Sequence, residues 1–178
     1  MQERTNIKTV SGQTMIESLV AVSMVIVGIL GIVSLLVSSE HQSASVTNRL
    51  TAAYLAAENI EVVKNILDTE YLQGSSFASA FTPGDLYTLN YDSTSPQLMD
   101  AAQSNMSVYY NASSTTYVQP PDPVDGDTLT VFKRYIYIAP STNPAVLDVQ
   151  AVVIWDQNGV SQKFYLEDKF TNWRGQAQ

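Results

Sequence analysis

Apolar side chains fill one segment of the chain almost without a break. Residues 19–37 carry no charge, and only two serines and two glycines interrupt the large apolar side chains. A helix of this length rises about 28 Å, close to the roughly 30 Å of a bilayer's hydrocarbon core. A secretory signal peptide has a shorter apolar core, of about 7–15 residues, and a small-residue cleavage site, which this segment lacks. The pattern therefore predicts a transmembrane helix that stays in the mature protein.

Basic residues stand before this segment. Arg4 and Lys8 precede it, and positively charged flanks of a transmembrane helix stay in the cytoplasm. We therefore expect a single-pass protein of the cytoplasmic membrane, with its N-terminus inside and everything after Val37 outside.

A helical pattern follows the apolar segment. Between residues 46 and 71 apolar side chains recur at spacings of three or four, as in one stripe of an amphipathic helix. This stripe consists of Val46, Leu50, Ala53, Ala57, Ile60, Val63, Leu67 and Tyr71. Neither proline nor glycine occurs between Gly31 and Gly74, which predicts one helix over about residues 14–68. Its second half is expected to cover a sheet; a coiled-coil dimer is the alternative.

The C-terminal third alternates as strands do. Three strands are predicted at residues 128–139, 145–156 and 160–170, and Asn158-Gly159 between the last two is a hairpin turn. One face of the last strand carries Val160, Gln162, Phe164, Leu166, Asp168 and Phe170. Residues 72–127 are loop-like, with short strands at 87–91 and 107–110. The predicted fold class is α+β, a long N-terminal helix packed on a C-terminal antiparallel sheet.

The composition of the chain disfavours several classes of partner and activity. The formal net charge of −8 disfavours nucleic acid as a partner, and the chain has no cysteine. Its single histidine, His41, lies in a polar stretch and is expected to be an exposed interfacial residue rather than a catalytic base. Without a Gly-rich phosphate loop or a paired-carboxylate motif, we expect no enzyme activity and no cofactor.

Two further features have competing interpretations. Asp122, Asp125 and Asp127 surround Gly126, which favours a solvated turn, with a Ca²⁺ site as the alternative. Trp155 and Trp173 are expected to be packing residues rather than platforms for a ligand.

Glu17 stands at the head of the apolar segment, where a carboxylate needs an explanation. The run Gly12, Gln13, Thr14, Met15, Ile16, Glu17, Ser18, Leu19, behind a basic leader, resembles the N-terminus of type IV prepilins. That family includes pilins and the pseudopilins of type II secretion. The stretch RLTAAYLAAENIEVVKNILDT also looks like the minor-pilin and pseudopilin branch.

The resemblance implies processing by a prepilin peptidase. The enzyme would cut between Gly12 and Gln13 and methylate the new N-terminus at Gln13. Residues 1–12 would be the leader peptide, 13–38 the transmembrane and assembly helix, and 39–178 the extracytoplasmic pilin-like head. The chain departs from the family in two ways. Its first mature residue would be Gln13, where the family usually has an apolar residue, and it has no proline before Pro83.

The cut gives Glu17 a use. It creates an ammonium group at Gln13, which can meet a neighbouring subunit's Glu17 when helices pack side by side. At about 4 Å and an effective dielectric constant of about 20, their attraction is about 4 kcal/mol. That is comparable to the roughly 2.5–3.5 kcal/mol that a carboxylate costs at the centre of a membrane-inserted helix.

The function expected from these observations is that of a structural subunit, a minor pilin or pseudopilin. It would be assembled into a type IV pilus or a secretion or uptake pseudopilus. Its partners would be the prepilin peptidase, other pilin or pseudopilin subunits and the inner-membrane assembly platform. The alternative is a membrane-tethered extracytoplasmic binding domain unrelated to filaments.

Overall fold

A computed structural model describes residues 10–100, 102–122 and 125–173, with residues 10–13 described by their backbone alone. The predicted leader, with Arg4 and Lys8, therefore lies mostly outside the described residues. The chain divides into two compact units, one that ends at Val46 and one that begins at Thr47.

One helix, α1 (Val10–Leu72), runs through the N-terminal part of the chain. This confirms the prediction of a single helix, although it ends four residues later than residue 68. Gly74, with φ of 72°, provides the left-handed residue that terminates it. The amide N–H of Ser75 donates to the carbonyl of Glu70 at 2.9 Å, and that of Gly74 donates to the carbonyl of Tyr71 at 3.1 Å. These two bonds satisfy carbonyls that the last turn of a helix otherwise leaves unpaired.

Seven strands and one short 3₁₀ helix follow α1. They are β1 (Leu86–Thr88), β2 (Gln97–Leu98), the 3₁₀ helix Ser104–Met106, β3 (Ser107–Asn111), β4 (Thr116–Val118), β5 (Thr128–Ala139), β6 (Val146–Gln157) and β7 (Val160–Thr171). The three long strands agree with their predicted positions to within one residue, and the short strands β2 and β4 were not predicted.

All seven strands belong to one antiparallel sheet. On one side of β5, β1 and β3 pair with different parts of the strand, and β2 and β4 extend them in the order β2-β1-β5-β3-β4. On the other side, β6 pairs with β5 and β7 pairs with β6. The predicted meander of three long strands is therefore confirmed. The β6-β7 hairpin closes at the pair Gln157↔Val160, with Asn158 and Gly159 at φ of 55° and 75° as a two-residue turn requires.

From Thr47 onward, α1 packs on one face of this sheet, which we call the inner face, and the fold class is α+β as predicted. Two apolar clusters join the helix to the strands. The first is Ala52, Leu55, Ala56, Val108, Phe132, Ala151, Val153 and Trp155. The second is Val62, Val63, Ile66, Phe81, Tyr87, Leu89, Ile136, Ile138, Leu147 and Val149. Burial of this apolar surface is the main force that holds the helix to the sheet.

The predicted helical stripe is wrong by about one residue. Val46, Leu50 and Tyr71 are 67 %, 55 % and 53 % exposed, and of the predicted stripe only Val63 is fully buried. The buried face consists instead of Ala52, Leu55, Ala56, Asn59, Val62, Val63, Ile66 and Glu70. Four of these eight residues are alanine, asparagine or glutamate. A search for large apolar side chains at helical spacing therefore could not reveal this face.

Glu70 shows why a polar residue belongs to this face. Its carboxylate Oε1 accepts hydrogen bonds from the Ser79 hydroxyl at 2.6 Å and from the Ala80 amide at 2.7 Å. The loop after α1 is thereby fastened to the last turn of the helix through Oε1, whereas the buried Oε2 has no hydrogen-bond partner within the described residues.

Candidate assembly segment and the polar layer of the head

The backbone of Gly12 and Gln13 lies in the first turns of α1, and Glu17 follows one turn after Gln13. Glu17 is exposed, as is every residue from 14 to 44. Within the side chains that the structure describes, no hydrogen bond or ion pair reaches the Glu17 carboxylate. The predicted cleavage and pairing residues are therefore close together along one helix.

The first part of α1 exposes its apolar side chains in every direction. Sixteen large ones between positions 15 and 37 are 44–76 % exposed, among them Met15, Leu19, Ile26 and Leu35. This helix is long and apolar enough to cross a membrane. Patches of this size on a water-soluble monomer are rare, since exposed apolar surface is unfavourable in water.

The polar side chains of the segment are compatible with lipid. The hydroxyl of Ser18 donates to the carbonyl of Met15 at 2.9 Å, and that of Ser23 donates to the carbonyl of Leu19 at 2.7 Å. Such bonds satisfy the hydroxyl donors within the helix itself, where lipid offers no partner. Glu17 is thus the one charged side chain between residues 14 and 37.

Beyond residue 47, a layer of polar side chains divides the two apolar clusters. Along the buried face of α1, Asn59 lies between Ala56 and Val62, which belong to different clusters. Along β5, Arg134 takes the same place between Phe132 and Ile136. Both Asn59 and Arg134 are 0 % exposed.

Arg134 is held by an ion pair and an amide. Its Nη1 lies 2.6 Å from Oε1 of Glu58 on α1, and its Nε donates to Oε1 of Gln119 at 2.8 Å. Burial lowers the pKa of Arg134 below its ordinary value, while the charge and hydrogen bond of Glu58 act in the opposite direction. A guanidinium group remains protonated under such conditions, so Arg134 is a buried cation that depends on Glu58.

Gln119 connects this layer to β5, to the 3₁₀ helix and to the loop after β1. Its side-chain amide donates to the carbonyls of Asn105, Met106 and Arg134 at 3.0, 3.1 and 2.9 Å. Its backbone amide donates to Oδ1 of Asn90 at 2.7 Å. Gln119 therefore uses every polar atom of its side chain inside the head, as a buried amide must.

The alternating pattern of β5 in the sequence also indicates that Arg134 is buried. The buried residues of β5 alternate, and Phe132, Arg134, Ile136 and Ile138 share one face. If the apolar face of a strand points into the core, an arginine on that face requires a buried anion or amide nearby. Glu58 could not be named as that partner, because the predicted phase of the helix was wrong.

The Asp122–Asp127 loop is tied to the head through Asp122. The side-chain amide of Asn90 donates to Oδ2 of Asp122, and the amide N–H of Asp122 donates to the carbonyl of Gln119 at 3.1 Å. Among residues 10–100, 102–122 and 125–173, no cluster of three or more metal-binding side chains is present. The turn interpretation fits this geometry, in which Asp122 serves as a hydrogen-bond acceptor.

The two tryptophans differ. Trp155 is 3 % exposed and packs against Phe132 with ring centroids 6.2 Å apart, which confirms it as a packing residue. Trp173 is 70 % exposed, so the same prediction is wrong for it. Trp173 lines a surface cavity of about 320 Å³ between the end of α1 and the end of β7, together with Lys64, Tyr71, Phe77 and Phe170. His41 is exposed on α1, as predicted.

No protein-family model, curated protein or solved structure matches this chain. The observations above establish a pilin-like arrangement, with a long, apolar N-terminal helix that continues into a part packed on a C-terminal antiparallel sheet.

Proposed function

We propose that the protein is a minor pilin or pseudopilin, a structural subunit of a type IV pilus or of a secretion or uptake pseudopilus. The observation that carries this proposal is an apolar helix exposed on all sides, with a single carboxylate, Glu17, one turn after Gln13. The same helix, α1, continues without interruption into the part that packs on the sheet.

In this proposal, the apolar surface of the helix is covered first in the membrane and then in the filament. Lipid covers it while the subunit is in the cytoplasmic membrane, with the N-terminus inside and the head outside. The apolar helices of neighbouring subunits cover it in the filament. Both environments exclude water, so the same side chains suit both.

Glu17 is suited to the second environment. Cleavage after Gly12 leaves an ammonium group at Gln13, and four residues of helix separate it from Glu17 by about 6 Å along the axis. Two neighbours displaced by about one turn would bring the ammonium of one near the carboxylate of the other. A charge that is unfavourable alone is stabilised by this pair, and the pair also sets the stagger between subunits.

The partners in this proposal follow from its steps. They are the prepilin peptidase for cleavage and methylation at Gln13, other pilin or pseudopilin subunits for assembly, and the inner-membrane platform that extracts subunits. Assembly by packing needs neither a catalytic residue nor a cofactor, and the acidic surface supports a protein rather than a nucleic-acid partner.

The test is the mature N-terminus of the full chain, read by mass spectrometry after extraction from cells that contain a prepilin peptidase. The expected first residue is Gln13. Gly12→Val should leave the precursor uncut, because a branched side chain replaces hydrogen at the cleavage site. Gly31→Val is the matched control, since nothing lies within 4 Å of a Cβ at either Gly28 or Gly31. The control should be cut normally.

An uncut wild-type chain would refute the proposal, and so would normal cutting of Gly12→Val at the same bond. An uncut but membrane-bound protein would favour the alternative, a tethered extracytoplasmic binding domain. The cavity beside Trp173 would then be the first place to look for a ligand, because it is of the size that small ligands occupy.

A further inference from the structure

The last strand of the sheet has one unpaired edge. Strand β7 pairs with β6 along its whole length, from Thr171↔Val146 to Val160↔Gln157. Within the residues that the structure describes, no strand pairs with its opposite edge. One amide of this strand is already engaged, because the N–H of Lys169 donates to Oδ1 of Asp168 at 2.8 Å. The rest of the 12-residue edge, with its unpaired backbone N–H and C=O groups, is a template for another strand.

The side chains of β7 alternate between two faces. Phe164 and Leu166 lie opposite the buried residues Val153 and Ala151 on the inner face. Lys163, Tyr165 and Glu167 lie on the outer face, where Tyr165 is opposite Val152. In the middle of this strand two apolar residues remain accessible, because Tyr165 is 60 % exposed and Leu166 is 37 % exposed.

The pattern around Tyr165 is self-complementary. Two residues before it, on the same face, stands the cation Lys163, and two residues after it stands the anion Glu167. Its immediate neighbours, Phe164 and Leu166, are both apolar and share the inner face. If a second copy of β7 pairs antiparallel about Tyr165, each Lys163 lies opposite the other copy's Glu167, and each Phe164 lies opposite a Leu166.

Neighbouring registers do not share this property. An antiparallel pair that keeps the inner faces on one side can shift its centre by one residue at a time. A centre at Leu166 puts Lys163 opposite Lys169, and a centre at Glu167 puts two carboxylates opposite each other. A centre at Phe164 leaves Lys163 opposite Tyr165, without an ion pair. Opposite charges across two strands stabilise their pairing and like charges destabilise it, so the register about Tyr165 is favoured.

We propose that the free edge of β7 is a self-association site, at which two copies of this chain pair antiparallel about Tyr165 and extend one sheet across both molecules. The two-fold axis is perpendicular to the sheet and reverses every direction within it. The contact therefore joins heads that approach from opposite directions, as in two filaments that lie side by side with opposite polarity, and not successive subunits of one filament. It does not depend on the proposed function, because it uses only the head.

The absence of cysteine makes a direct test available. Tyr165→Cys gives a chain with one thiol, and in the proposed register two such residues face each other with Cα atoms about 4.5–5.5 Å apart. That separation lies within the roughly 4.4–6.8 Å range in which disulfides form. The full chain is oxidised with oxidised glutathione in excess detergent, one chain to a micelle, and covalent dimers are measured on a non-reducing gel. About 0.15 M salt screens the net charge of −8 beyond about 8 Å while leaving direct contacts.

Ser161→Cys is the matched control, because it lies on the same exposed face of the same strand. In the proposed register two Ser161 positions are about 27 Å apart, since eight residues of strand separate them. We expect at least tenfold more dimer from Tyr165→Cys than from Ser161→Cys. Equal yields would overturn the proposal, since chance encounter would then account for both.

A second pair of variants leaves Tyr165 in place. Lys163→Cys and Glu167→Cys are prepared separately, and each alone should form almost no disulfide-linked dimer, because the two copies of either thiol are about 14 Å apart along the strands. Mixed together, they should form a heterodimer, since position 163 faces position 167. A mixture that yields no more disulfide than its components would refute this register.

Charge exchange tests the ion pairs themselves. In the Tyr165→Cys background, Lys163→Glu places two carboxylates opposite each other on both sides of the thiol and should reduce the dimer at least fivefold. The further change Glu167→Lys restores opposite charges and should restore the yield. If neither change alters the yield of covalent dimer, charge does not set the register, and the proposal would fail.

Discussion

Glu58 is the residue whose removal tests the polar layer most directly. Glu58→Ala takes away the carboxylate that lies 2.6 Å from Nη1 of Arg134. Arg134 is 0 % exposed and cannot turn to water, so its guanidinium stays charged inside the head with Gln119 as its remaining side-chain partner. The variant therefore isolates the consequence of an unpaired buried cation.

Removing one partner of a buried ion pair destabilises a protein by about 3–5 kcal/mol. The Glu58 side chain is 32 % exposed, so water reaches the site and the lower end of that range applies. For a chain of this size, about 3 kcal/mol lowers Tm by about 6–12 °C. The matched control is Glu61→Ala on the same helix, whose carboxylate lies 3.6 Å from Lys64 at the surface. Such an exposed pair contributes about 0–1 kcal/mol, so the control should melt within about 4 °C of wild type.

The assay follows the tryptophan emission of the full chain during thermal unfolding in detergent. Trp155, which is buried against Phe132, moves into water only when the head unfolds, whereas Trp173 is exposed throughout. Adding Arg134→Met to Glu58→Ala should recover at least about 1 kcal/mol, because an apolar side chain replaces the unpaired charge. Equal melting of Glu58→Ala and Glu61→Ala would refute the reasoning. So would a double variant that melts below Glu58→Ala.

Three further outcomes are expected. Glu17→Leu should be inserted and cut normally but should be depleted from the filament fraction relative to the membrane fraction, with Glu17→Asp between it and wild type; equal incorporation of all three would contradict a pairing role. Ile66→Ala should cost about 2–5 kcal/mol because Ile66 is 3 % exposed, and Leu67→Ala should cost clearly less because it is only partly buried; the reverse order in thermal melts would restore the stripe expected from the sequence. Asn59→Leu should raise Tm by about 2–6 °C, because neither polar atom of this buried side chain has a hydrogen-bond partner in the described residues; a lower Tm would show that the amide has one.

Much of the fold could be predicted because its local patterns are strong. The long strands alternate, Asn158-Gly159 marks their hairpin, and an uninterrupted stretch between Gly31 and Gly74 marks a helix. The short strands β2 and β4 were not predicted, because two or three residues are too few to show an alternating pattern. They exist through pairing with β1 and β3, which are themselves held in the sheet by β5, a strand farther along the chain.

The phase of the helix could not be predicted from hydrophobicity alone. Leu50 and Tyr54 have larger side chains than Ala52 and Ala56, yet they are exposed while the alanines are buried. Small side chains are buried here because they face Trp155 and Phe132, large residues contributed by the sheet. Close packing couples the two surfaces, and a helix examined without its sheet offers no measure of the space available.

The candidate assembly residues present the opposite case. Gly12, Gln13 and Glu17 were found from a short motif, and their predicted roles require a peptidase and a neighbouring subunit. A single folded chain contains neither, so its packing cannot replace the test of cleavage. What the structure adds is that no other described element covers the apolar surface from residue 15 to residue 37, which is the condition that both membrane insertion and filament assembly require.

The polar layer explains how the helix can have a single register on the sheet when its apolar clusters are so similar. Both clusters offer small or branched side chains from α1 to apolar strands, and apolar contact is not directional. If α1 slid by four residues, the position of Glu58 opposite Arg134 would be taken by Tyr54 or Val62. The guanidinium would then be buried without an anion, which is unfavourable by several kcal/mol, whereas apolar contacts would be partly regained. One ion pair that is satisfied in a single position thus discriminates between arrangements that apolar burial alone leaves nearly equal.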